Sequence, residues 1–146
     1  ISPMTELRAW KTIDIDPFVS FLVDRYGEVI DQNRIYMTGF SAGGGLTMRY
    51  AHEHPERLAA IVAIAPATPF PNDDQPTDAM ASVPSWLFHN DNDPVISSDR
   101  TLAWHQKLVD RYYDHRLTIY GSDSHYAWQQ AYATNDMWQW LLSKSK

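Results

Sequence analysis

A chain of 146 residues with 44% hydrophobic and 21% charged residues is long enough for one compact domain and lies far from disordered, collagen-like or coiled-coil compositions. Its net charge of −6 comes without the clustered Lys and Arg that phosphate binding needs, so no nucleic-acid partner is expected, and the absence of cysteine excludes disulfides, thiolate zinc sites and a cysteine nucleophile. No apolar run approaches the roughly 20 residues of a membrane-spanning helix and no basic-then-apolar leader opens the chain, so no membrane association is expected.

Asp16-Pro17 reads as an acidic N-cap followed by proline at the first helical position. Phe18, Phe21, Leu22 and Tyr26 then recur at helical spacing before Gly27, which predicts a helix over 17–26. After the polar turn Asp31-Gln32-Asn33, the β-branched and aromatic run 34–39 is too short for a helix and predicts a buried strand. A helical pattern starts at Ala42, continues through Leu46, Met48, Tyr50 and Ala51, and stops at Pro55, which cannot extend the hydrogen-bond ladder.

The continuously apolar run 59–65 fits a central parallel strand covered on both faces. Pro69, Pro71 and Pro76 make 68–83 a surface excursion, with one helical turn near Ala79. Further strands are predicted at 85–89 and 116–120, with a polar loop at 90–94 between the first of these and a helix over 99–112 that Ser97 or Ser98 caps. A loop over 121–124 leads to a closing helix whose spine runs from Met137 to Leu142. Strands alternate with helices, so the fold class is α/β, with a mainly parallel sheet of about four strands flanked by helices and residues 1–146 forming a single domain.

Gly39-Phe40-Ser41-Ala42-Gly43 stands where a buried strand turns into a helix, the context in which a G-x-S-x-G serine serves as a nucleophile. Such a turn brings its own backbone close, which calls for small residues at 39 and 43. It also places the hydroxyl at a helix N-terminus, where the Ala42 N–H is positioned to donate to an oxyanion. Serine is a weak nucleophile without a base, and the base needs a carboxylate to fix its tautomer. In the order Ser, acid, His, Asp93 follows the third strand and His125 the fourth.

Asp91 lies in the same loop, but Asp93-Pro94-Val95 adds a proline and an apolar residue that pin a loop, which favours Asp93. His52 and His54 flank a helix C-terminus, His89 ends a strand and reads as a satisfied histidine, either structural or standing behind a site residue, and His105 and His115 read as surface residues. The run Asn90-Asp91-Asn92-Asp93 lacks the glycine and distal glutamate of a calcium loop, so no metal and no cofactor are expected. Phe40, Tyr126 and Trp128 adjoin these residues in sequence and either line a substrate pocket or belong to the core.

Residues 31–44 resemble the nucleophile region of bacterial carboxylesterases related to polyhydroxybutyrate depolymerases, feruloyl esterases and prolyl-oligopeptidase-like hydrolases. Segments 54–60 and 83–89, then Asp93-Pro94-Val95, are similar to the same family's approach to its next strand and to its acid loop; 124–128, Ala131-Tyr132 and 138–142 are similar to its histidine loop and closing helix. Asn90 departs from the pattern, standing where relatives have glycine. The resemblance implies an α/β-hydrolase fold and a serine carboxylesterase acting on a small ester through Ser41, Asp93 and His125, with Ala42 as an oxyanion donor and Phe40, Tyr126 and Trp128 near the substrate.

Relatives carry about four more strands ahead of the nucleophile, one of whose loops supplies a second oxyanion N–H. The chain is therefore expected to be a fragment or a naturally truncated hydrolase. An unpaired sheet edge and an uncovered face then favour a homo-oligomer, with Trp10, Phe18 and other aromatic residues of the N-terminal third as interface or core. Two other readings stay open: a non-catalytic remnant acting as a binding module, and a peptidase or polyester depolymerase of the same fold.

Overall fold

The computed structural model describes residues 11–67, 78–111 and 114–146. In chain order these form α1 (Thr12–Tyr26), β1 (Tyr36–Phe40), α2 (Ala42–Glu53), a single 3-10 turn (Pro55–Arg57), β2 (Ala60–Ile64), α3 (Asp78–Ala81), β3 (Ser85–Asn90), α4 (Ser98–Val109), β4 (His115–Tyr120), α5 (Trp128–Ala133) and α6 (Asn135–Leu142). The strands make one four-stranded sheet in the order β1-β2-β3-β4, and every neighbouring pair is parallel. Each helical return brings the chain back to the same end, so the C-terminal ends of all four strands share one edge.

Side-chain alternation along the two central strands divides the interior into two cores. Ile61, Ala63 and Leu87 point to one face, packing with Met48, Tyr50, Met80, Trp104 and Leu108 from α2, α3 and α4. Ala60, Val62, Ile64, Trp86 and Phe88 point to the other, against Ala131, Met137, Trp140 and Leu141 from α5 and α6. With both faces covered, every residue of β2 and β3 is buried, which explains why β2 reads as an unbroken apolar run.

Helix α1 begins well ahead of the predicted start at 17. The Asp14 carboxylate accepts the Lys11 backbone N–H at 3.1 Å and closes an upstream cap, leaving Pro17 inside the helix. Asp16, expected as the cap, instead accepts the Tyr50 hydroxyl and the Arg57 guanidinium, each at 3.1 Å, and ties α1 to α2 and the turn behind it. Helix α4 is capped by Ser97, whose hydroxyl accepts the Asp99 N–H at 3.2 Å, and it ends at Val109, short of 112. Most of the predicted excursion, 68–77, lies outside the described residues, as do Trp10 and residues 112–113; the helical turn near Ala79 is α3.

Two expectations about histidines require correction. His115 is not a surface residue: it is buried at the start of β4, with Nδ1 2.8 Å from the Ser85 hydroxyl and Nε2 3.1 Å from the Ala81 carbonyl. His105 is half-buried, and burial pushes both imidazoles below their ordinary value. On α1, Phe18 is half-buried and Phe21 exposed. Among the described residues no helix is long and apolar enough to cross a membrane.

Candidate active site

The shared edge of the sheet gathers three side chains that are far apart in sequence. Ser41 follows β1, Asp93 lies in the loop after β3 and His125 in the loop after β4. Ser41 occupies a sharp turn with φ 55° and ψ −117°, a backbone conformation that a side chain adopts only when its surroundings impose it. Its N–H donates to the Ile64 carbonyl at 2.9 Å, and its own carbonyl accepts the Gly45 and Ala67 N–H groups, both at 3.0 Å. The turn is thus bound to the exit of β2.

The glycines around it do not share the load as the pentapeptide suggests. A Cβ on Gly39 would stand 2.2 Å from the Gly43 carbonyl oxygen, whereas one on Gly43 would meet nothing within 4 Å among the described residues. The other tight positions are Gly44 and Gly45, where a Cβ would stand 2.8 Å from the Ile64 oxygen and 2.4 Å from the Ala67 oxygen. These two let α2 start directly against the end of β2. Ala42 is the first residue of α2, exposed, with an N–H that has no acceptor within the helix and sits at its positive end.

His125 Nε2 lies 3.0 Å from Ser41 Oγ, and Nδ1 lies 2.7 Å from Asp93 Oδ2. The Asp93 side chain is fully buried and that of His125 is 13% exposed. Burial works to raise the Asp93 carboxyl, but donation from the Ile96 N–H, the His125 ring and the Val95 N–H outweighs it and holds the group below the usual carboxylate range. Those backbone donors reach Asp93 Oδ1 at 3.0 Å and 2.8 Å. An ionised Asp93 keeps the ring proton on Nδ1 and turns the lone pair of Nε2 toward the Ser41 hydroxyl, an arrangement able to accept that proton. Asp93 Oδ2 has a second neighbour, His89 Nε2 at 3.2 Å.

Asp91, the competing carboxylate, meets other partners. Its Oδ1 accepts the Asn92 and Ser122 N–H groups at 2.8 and 2.9 Å, joining the acid loop to the histidine loop. Val95 is 67% exposed, so backbone donation across Pro94, and not an apolar anchor, holds Asp93. The Phe40 ring is 4.8 Å from the His125 ring and also packs on the core beneath α5 and α6. Tyr126 is 6.2 Å from His125 by ring centroids and exposed, while Trp128, also exposed, opens α5. Sequence reasoning missed Gly44 and Gly45, for which the glycine run at 43–45 was the available signal, and it left open whether His89 stands behind a site residue; the structure puts it against Asp93.

Residues 11–140 match the family described as Phospholipase/Carboxylesterase. The chain is 26% identical over 133 residues to acyl-protein thioesterase 1 of Eremothecium gossypii, covering 82% of this chain and 57% of that protein. It is 32% identical over 98 residues to a provisionally named esterase, NocK, of Nocardia uniformis subsp. tsuyamanensis, covering 65% of this chain and 27% of that one. The crystal structure of a thermostable esterase superposes with a TM-score of 0.80 at 27% identity, over 92% of this chain and 36% of the other. The chain therefore spans between about a quarter and just over half of the length of these relatives.

Proposed function

The chain belongs to the Phospholipase/Carboxylesterase family of α/β-hydrolases, and from that premise we propose that it hydrolyses small carboxylic esters with Ser41 as nucleophile. The observation that carries this reading is the unbroken hydrogen-bonded series Ser41–His125–Asp93 at the strained turn after β1. Ser41 Oγ attacks the ester carbonyl while His125 Nε2 takes its proton, and Asp93 stabilises the resulting imidazolium. The Ala42 N–H, at the start of α2, donates to the oxyanion of the tetrahedral intermediate. Return of the proton to the departing alkoxide releases the alcohol and leaves an acyl group on Ser41. Water, deprotonated by the same imidazole, then frees the acid. Phe40 and Tyr126, beside the His125 ring, line the approach for the apolar part of the ester.

The test is covalent. A fluorophosphonate is expected to add its mass to Ser41 of the unaltered protein, and Ser41→Ala is expected to abolish both labelling and hydrolysis of a chromogenic short-chain ester. An unaltered protein that stays unlabelled overturns the proposal and favours a binding role.

A further inference from the structure

We propose that His89 is a positioning residue for this reaction: its Nε2–H holds the Asp93 oxygen that receives His125, extending the series to Thr101–His89–Asp93–His125–Ser41. The inference rests on the reading of Ser41, Asp93 and His125 given above. His89 lies in β3 four residues ahead of Asp93, and its side chain is fully buried. Nε2 faces two groups that can only accept, the Ile96 carbonyl at 3.0 Å and Asp93 Oδ2 at 3.2 Å. The ring proton is therefore on Nε2, and Nδ1 accepts the Thr101 hydroxyl at 2.8 Å. Burial pushes the ring below its ordinary value against the pull of Ile96 and Asp93, so it stays neutral with this one tautomer.

A histidine that merely needed partners in the interior would be satisfied by Thr101 and Ile96. The contact with Asp93 falls on the oxygen that receives His125, so Oδ2 accepts the His125 ring and faces His89 Nε2, whose one proton lies between it and the Ile96 carbonyl, while Oδ1 takes the Val95 and Ile96 N–H groups. A carboxylate with three donors and the His89 Nε2–H edge against it cannot rotate without breaking several of these contacts. Because His89 is neutral, it fixes the anion without cancelling the charge that the imidazolium of His125 needs; an Arg or Lys in its place would do both. The neighbouring Asn90 Nδ2 donates to the Ser124 carbonyl at 2.5 Å, so consecutive residues at the end of β3 brace the acid loop and the histidine loop.

The experiment compares His89→Leu with His89→Gln, whose amide N–H falls near the position of Nε2. It reads the rate of fluorophosphonate labelling and, separately, the NMR resonance of the His125 Nδ1–H that Asp93 accepts. His89→Leu is expected to slow labelling by about tenfold to a hundredfold, the cost of a small misplacement of a catalytic group. It is also expected to move the Nδ1–H resonance downfield, because a carboxylate that has lost a donor accepts more strongly from the ring. His89→Gln is expected to restore most of both. Unchanged labelling and resonance in a folded His89→Leu protein, or a His89→Gln protein as impaired as His89→Leu, overturns the proposal. Should His89→Leu fail to fold, Thr101→Val removes the outer donor, and an unaltered Nδ1–H resonance there also overturns it. The resonance needs no reaction, so failure of the esterase reading, seen as an unlabelled wild type, remains distinct from failure of the brace.

Discussion

Alanine at the two glycines of the pentapeptide separates the demands of this fold from those of the pattern. At position 39 a Cβ would lie 2.2 Å from the Gly43 oxygen, 2.4 Å from the Gly43 carbonyl carbon and 2.9 Å from the Gly44 nitrogen. All three are backbone atoms, so no side-chain rotation relieves the overlap, and α2 must move away from β1. Overpacking of ordinary cores costs about 1–3 kcal/mol, and a backbone clash belongs at or above the top of that range. At about 2–4 °C of Tm per kcal/mol, Gly39→Ala is expected to lower Tm by about 6–12 °C.

Gly43 lies inside α2 with nothing within 4 Å of a Cβ among the described residues. Alanine there gains helix propensity of roughly 0.5–1 kcal/mol and is expected to raise Tm slightly. Thermal melts followed by circular dichroism, with fluorophosphonate labelling of each variant, provide the assay. Gly39→Ala is expected to lose labelling and Gly43→Ala to retain it. Equal destabilisation by the two variants would refute the packing argument.

Asp93→Asn is expected to slow Ser41 labelling by about a thousandfold or more, because an amide on Nδ1 favours the wrong imidazole tautomer. Asp91→Asn, which loosens only the joint between loops, is expected to stay within about tenfold of the parent; similar losses from both would contradict the placement of His125 on Asp93. Stability is expected to fall as pH drops below about 6.5, because His89 and His115 have folded values below their unfolded ones, so unfolding takes up protons in that interval. Each contributes at most about 1.4 kcal/mol per pH unit. Asp93 and Asp114 are also held below their ordinary value, but an unfolded carboxyl takes up its proton only near pH 4, so their contribution stays intact until pH falls below about 4. Urea denaturation at pH 7, 5.5 and 4.5 checks this, and a flat profile between 7 and 5.5 contradicts it.

What the sequence disclosed follows the range of each signal. The run at 59–65 was readable because burial on both faces leaves a continuous apolar segment, and 85–89 because Trp86-Leu87-Phe88 stands ahead of a polar loop; both are central strands. The start of α1 was misplaced because Asp16-Pro17 imitates a helix start, while the actual cap comes from Asp14 reaching back to Lys11. Helix α5 escaped notice because its six residues contain one buried position, too few for a periodic pattern.

The expectation that Ser41, Asp93 and His125 converge came from chain order and strand ends, which the parallel topology makes informative. The choice of Asp93 over Asp91 rested on Pro94 and Val95 as apolar pins, yet Val95 projects into solvent and its N–H performs the holding. Gly44, Gly45, His89 and His115 owe their environments to Ile64, Ala67, Asp93, Ser85 and Ala81, all brought close by packing. No local pattern encodes such proximities.

Because the strands lie side by side in the order in which they are synthesised, the hydroxyl, the carboxylate and the imidazole are laid down along the chain in that sequence. A nascent polypeptide that has emerged only through the loop after β3 already contains the turn and Asp93, but it lacks the imidazole proposed to deprotonate Ser41. On the proposed mechanism, reactivity therefore awaits one event, the docking of β4 and the loop behind it.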